Sequence, residues 1–153
     1  MSRLELIMEN LKAAVEGING TGSYANVVKF VSRDAVAPEL LTSSQFPAVF
    51  PMVVSWEDET DPSLVNTEEV SCTLDVEFWA LILAQKDRSN AFLSFCADIY
   101  RAVMADPRRG ENAMDTLPDG APDVDEVTLA PSGKVDGVMR FRVRFTHALG
   151  NMD

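Results

Sequence analysis

The chain is predicted to fold as an α+β domain, a mostly antiparallel sheet of about four to five strands with two amphipathic helices packed on one face. Three observations predict it. Two segments repeat apolar residues at steps of three and four, which gathers them on one side of a helix. One long segment, from Val70 to Ala84, alternates between two faces as a strand does. The elements run helix, two strands, long strand, helix, hairpin, an order that suits helices gathered against an antiparallel sheet.

The first helix is predicted over Arg3 to Glu16, with Leu4, Ile7, Met8, Leu11, Val15 and Ile18 on or just past its apolar face. Ser2 followed by Glu5 has the spacing of a capping box, and Gly17 with Asn19-Gly20 stops the helix. Tyr24 to Arg33 is rich in β-branched and aromatic residues and reads as a strand. Asp34 to Phe46 reads as a crossing loop. In FPAVFPMVVSWE, Pro47 and Pro51 each remove a ladder donor, so this strand should begin late or lie at a sheet edge. Glu57 to Glu69 holds six acids and a proline, and reads as a solvated hairpin loop.

In the long strand, Val70, Cys72, Leu74, Val76, Phe78, Ala80 and Ile82 share one apolar face. The other face runs from Ser71, Thr73, Asp75 and Glu77 to Trp79, Leu81 and Leu83, so its cover should be partial. Ser89 or Asn90 is the expected N-cap of a second helix that carries Phe92, Phe95, Cys96, Ile99, Val103 and Met104 and ends before Pro107. The stretch 108–123 reads as a long loop. Val124 to Leu129 and Val138 to His147 form the final hairpin around PSGKVDG. With 153 residues and 46% hydrophobic content, one domain over 1–153 is expected, with acidic loops near 57–69 and 108–123.

Charge narrows the function. The chain carries 24 acids against 13 bases, a net of -11, which is a poor match for a phosphate-gripping protein. From Asp34 to Gln85 there are ten acids and no Lys or Arg, and from Gly110 to Gly133 six acids and again no base. Bases gather at Lys86, Arg88, Arg101, Arg108 and Arg109, and at Arg140, Arg142 and Arg144. Opposite-sign segments of this kind suit pairing between copies. Cys72 and Cys96 read as small buried hydrophobes of a reducing compartment. No signal-peptide run and no 18-residue apolar stretch appears, so a protein made in the cytoplasm and outside the membrane is expected.

Chemistry finds little to use. The single His147 has no local nucleophile signature, and one His with two isolated Cys gives no metal-ligand spacing. Gly17, Gly20 and Gly22 match no phosphate loop. No catalytic, cofactor-binding or metal residues are therefore assigned. The arrangement that stands out is Arg140, Arg142 and Arg144, which point to one face of a strand at roughly 7 Å spacing. They repel unless something negative faces them: Asp75 and Glu77 across the sheet, an acidic surface of a neighbouring copy, or nucleic acid.

Five features together resemble the tail terminator (tail completion, or minor tail) proteins of long-tailed bacteriophages. They are the opening helix MSRLELIMENLKAAVEGI leading to Tyr24, the Pro-bounded strand FPAVFPMVVSWE, the charge-alternating strand VSCTLDVEFWALI, the helix NAFLSFCADIYRAVMADP, and the Arg-alternating strand VMRFRVRFTH. The resemblance spans nearly the whole chain. It implies a structural virion protein at the head-proximal end of the tail, assembled in the host cytoplasm and not an enzyme. It also implies a hexameric ring that caps the tail tube protein, ends polymerisation and docks the head-side connector or neck protein. DNA would pass through the ring without specific binding, and no cofactor is implied. On this reading Arg140, Arg142, Arg144, Asp75, Glu77, Arg108 and Arg109 are candidate subunit or partner contacts. Glu57, Asp58, Glu59, Asp61, Glu68 and Glu69 are candidates for lumen or docking loops. The alternatives are another head–tail joining protein and a non-viral α+β module that binds a ligand or protein, with an uncharacterised enzyme third.

Overall fold

A computed structural model of the chain describes residues 1–59, 69–125 and 133–148. The elements are helix α1 (Arg3–Glu16), strands β1 (Phe30–Val31), β2 (Ala48–Glu59) and β3 (Glu69–Leu83), helix α2 (Arg88–Met104), and strands β4 (Asp115–Pro118), β5 (Asp123–Asp125) and β6 (Lys134–Ala148). The sheet runs β1-β2-β3-β6-β4, with β5 also paired to β6, and every pairing but β1–β2 is antiparallel. The α+β expectation holds, with six strands in place of four to five. No helix among the described residues is long and apolar enough to cross a membrane.

The core forms because two periodicities meet. Ile7, Met8, Leu11 and Val15 of α1, and Phe92, Phe95, Cys96, Ile99 and Val103 of α2, are buried together with the alternating set Cys72, Leu74, Val76, Phe78, Ala80 and Ile82 of β3. Met139, Phe141, Val143 and Phe145 of β6 complete the layer, in register with Phe78, Val76, Leu74 and Cys72. Each fully buried Phe here contributes about 1.5–3 kcal/mol by leaving water. On the opposite face a smaller cluster of Leu41, Phe46, Ala48, Phe50 and Leu81 covers one end of the sheet only. That is where the second face of β3 turns apolar, as the sequence predicts.

Helix α1 starts on the Ser2–Glu5 capping box and runs over the predicted residues. Elsewhere the boundaries move, each for a visible reason. The predicted strand Tyr24–Arg33 shrinks to Phe30–Val31, because the backbone N–H groups of Ala25 and Asn26 donate to the Asp98 carboxylate instead of a ladder. Helix α2 begins at Arg88, ahead of the expected caps Ser89 and Asn90. Asp87 turns the chain in a left-handed conformation (φ 48°), and its carbonyl accepts from Ala91. The stretch 108–123 is only partly loop: it contains β4 and the start of β5, which lie along β6 and satisfy its outer edge.

Strand β6 begins at Lys134, inside the predicted turn PSGKVDG, and Gly137 is a strand residue paired with Val124. A Cβ there would sit 2.2 Å from the Asp123 carbonyl oxygen and 2.6 Å from the Phe92 ring, so only glycine lets β5 and α2 close on the strand. The remainder of the predicted strand Val124–Leu129 lies outside the described residues beyond Asp125.

Strand β2 handles its prolines as an edge strand must. It starts directly after Pro47, whose carbonyl accepts from Lys29 N–H, and Val49 accepts from Ser32 N–H on the same side. Pro51 faces that side too, but β1 has already ended, so its missing N–H breaks no ladder bond. A bulge between Val53 and Ser55 then shifts the register by one residue. It turns Trp56 and Asp58 to the face of Leu74 and Cys72, and Ser55, Glu57 and Glu59 to the face of Asp75 and Thr73.

Candidate functional site

The polar face of β3 and β6 is a lattice of opposite charges. Arg140 Nε donates to Glu77 (2.9 Å) and its Nη1 to Asp123 (2.5 Å). Arg142 Nε donates to Asp75 (3.0 Å), with Asp119 at 3.6 Å on its other side. Arg144 Nε donates to both oxygens of Asp115 (2.9 and 3.1 Å). Asp115, Asp119 and Asp123 follow one another every four residues along the strip that runs antiparallel to β6. They therefore meet the arginines in reverse order. The acidic segment that could have served a neighbouring copy serves this chain's own stripe.

These contacts hold the guanidinium pKa values above their ordinary range, through Asp123 for Arg140, Asp75 for Arg142 and Asp115 for Arg144. The Arg144 hydrogen bond in turn holds the Asp115 carboxyl below its ordinary 3.8. A depressed carboxyl stabilises the fold above its unfolded pKa, and that contribution fades as pH falls through the lower folded value. Asp115→Asn is therefore expected to be less stable than the parent at neutral pH, with the gap closing below pH 3.8. Urea melts across pH check it; a gap independent of pH would refute the assignment.

The predicted acidic loop divides. Glu57, Asp58 and Glu59 belong to β2 and Glu69 opens β3, while Asp61 and Glu68 lie outside the described residues. Ser55 donates to Asp75 (3.1 Å) and Thr73 to Glu59 (3.0 Å), which knits the acids into the same lattice. Beyond Val49 no described strand pairs with the outer edge of β2. On this free stretch Val54 is 56% exposed and Trp56 54%.

At the opposite side of the sheet, α2, β6 and the β4–β5 connection enclose a cleft of about 560 Å3. Its walls are mainly apolar, with Leu93, Tyr100, Pro118, Pro122, Met139 and Phe141 among them.

Arg108 and Arg109 part company. Arg108 is exposed and pairs with Glu111 at 3.2 Å. Arg109 is fully buried, so it offers no surface to a partner. Left-handed backbone at Arg109, Gly110 and Glu111 folds the loop inward, and Nη2 donates to the carbonyl of Val103. That carbonyl would normally accept from the residue four positions on, which is Pro107 and has no N–H. Nε and Nη1 of Arg109 have no hydrogen-bond partner among the described residues, and burial lowers the guanidinium pKa.

The sequence also gave no sign of two other features. Asp98, on the buried face of α2, accepts from Ala25 N (3.0 Å), Asn26 N (2.8 Å), Asn26 Nδ2 (2.7 Å) and Arg101 Nη1 (2.8 Å). Asp58, Cys72 and His147, far apart in sequence, converge on adjacent strands with their ligand atoms all within 4.8 Å of one another. Burial, and then the hydrogen bond to Asp58, pushes the Cys72 thiol up to about 12, so Cys72 is a poor nucleophile. Cys96 is likewise buried and free, pushed up to about 12 by burial. No family model matches the chain, and no curated protein sequence matches it.

Proposed function

We propose that this chain is a structural virion subunit that assembles head to tail into a ring, capping a phage tail tube and docking the head-side connector. One observation carries the reading: two apolar sites lie at opposite sides of a single sheet, Trp56 on the stretch of β2 that no described strand pairs and the cleft beside β6. A long strand edge with exposed apolar side chains is an association hazard in a monomer. Different patches on opposite sides suit a heterologous contact, the kind that closes into a ring when the rotation between copies allows. The whole-chain resemblance to tail terminators supplies the biological setting. The charged lattice flanks the contact and sets its register, and the acidic surplus suits a channel that DNA passes without being held.

The purified chain is expected to form a ring of uniform mass in solution and to cap tail tubes in negative-stain images. A strict monomer that never associates with tubes would overturn the proposal. Arg142 is half-exposed, so Arg142→Glu should leave the subunit folded while its new charge beside Asp75 and Asp119 weakens ring formation. Circular dichroism with mass photometry checks both halves, and unchanged assembly would confine the stripe to its own chain. The cleft favours a second reading, a module that binds a small apolar ligand. A monomer whose cleft takes up an environment-sensitive apolar dye, with the signal lost in Leu93→Asp, would favour it.

A further inference from the structure

Asp58, Cys72 and His147 come from three successive strands of the sheet and share one face. Asp58 stands directly across from Cys72, and His147 lies diagonal to it, since Cys72 faces Phe145 and His147 faces Val70. Cys72 is 1% exposed and the His147 side chain 4%, whereas the Asp58 side chain is 46% exposed. The group is therefore a recess with two walls inside the protein and one open to solvent. His147 Nε2 lies 2.8 Å from Asp58 Oδ1, and Nδ1 lies 2.8 Å from the Ala148 carbonyl. A carbonyl oxygen only accepts, so Nδ1 carries the proton. That contact orients the ring and commits Nε2 to the cluster, as the outer hydrogen bond of a metal-ligating histidine does.

We propose that Asp58, Cys72 and His147 form a binding site for a divalent transition-metal ion of the zinc type, with its remaining position open to solvent beside Asp58. A thiolate, an imidazole and a carboxylate suit zinc or cobalt, and the sulfur argues against magnesium or calcium. Bond lengths of about 2.0–2.3 Å put the ligand atoms of a tetrahedral ion about 3.4–3.6 Å apart. The cluster already lies within 4.8 Å, so small side-chain rotations suffice. The Asp58–His147 hydrogen bond opens by roughly 0.6 Å to admit the ion. On binding, the ion takes the place of the Cys72 thiol proton and of the proton between Nε2 and Asp58 Oδ1, both of which leave to solvent. No electron is transferred and no other bond breaks. The ion would bind β2, β3 and β6 together at the end of the sheet far from the β3–α2 connection.

The test is titration of the full chain, stripped with chelator, with Co2+. One equivalent is expected to produce a thiolate-to-cobalt charge-transfer band together with the intense visible bands of a four-coordinate ion, and Zn2+ should abolish both. Cys96→Ser should keep the bands and Cys72→Ser should lose them. Asp58→Ala alters an exposed residue and tests the site without touching the core. It should weaken Zn2+ binding by at least the roughly 10–100-fold that losing an outer-shell partner costs. Absence of a charge-transfer band, a band that survives Cys72→Ser, or unchanged affinity in Asp58→Ala would each overturn the proposal.

Discussion

Asp98→Ala is expected to lower the unfolding free energy by about 2–4 kcal/mol, from the loss of hydrogen bonds to a charged, buried acceptor. The carboxylate is 1% exposed and holds two successive backbone N–H groups, the Asn26 amide and the Arg101 guanidinium. Arg101 donates as well to the Ser23 carbonyl (2.8 Å), so the linked pair Asp98 and Arg101 fastens the 23–26 crossing to α2. Without Asp98 those donors turn to water, and the approach to β1 loosens. Urea denaturation measures the loss, and faster amide exchange at Ala25 and Asn26 would localise it. Asp98→Asn keeps one acceptor oxygen and should recover part of the stability. A cost in Asp98→Ala below about 1 kcal/mol, the net worth of a single ordinary hydrogen bond, would show that the clamp contributes little.

Trp56→Glu is expected to abolish ring assembly while leaving the subunit folded. The side chain is 54% exposed on the free stretch of β2, so folding should change by no more than about 0.5 kcal/mol, as for other surface positions. At an interface a central Trp commonly carries about 2 kcal/mol or more. That is about thirtyfold in affinity for every contact around a ring. A carboxylate there also adds to Glu57, Asp58 and Glu59 on the same strand, and repels any neighbour of like sign. Mass photometry across concentration, with thermal melts as the folding control, separates the two effects. A folded variant that assembles as the parent does would remove the β2 edge from the interface.

Much of the fold was legible because its signals are local. The α1 boundaries follow from a capping box and a glycine stop, and each needs only neighbouring residues to be read. The two faces of β3 follow from a period of two, and so does the separation of Met139, Phe141, Val143 and Phe145 from the three arginines. Asp75 and Glu77 were found opposite the stripe for the same reason: two alternating strands leave few ways to pair. The misread segments are those where a distant group outbid the local preference. Tyr24–Arg33 has strand composition, yet its N–H groups are held by Asp98. The 108–123 stretch has loop composition, yet the outer edge of β6 recruits it.

By itself, the sequence determined the fold class, both helices, the long strand with its two faces, and the arginine row, since all of these are written in spacings of two to four residues. Only the tertiary structure decided what those elements meet. It set Asp115, Asp119 and Asp123 against the arginines, turned Arg109 inward to an orphaned helix carbonyl, and gathered Asp58, Cys72 and His147. It also left Trp56 half-exposed on a stretch of β2 that no described strand pairs. The physical reason is common to all four: each depends on strand register, a bulge or a left-handed turn, and these act between residues too far apart in the chain for any local pattern to record.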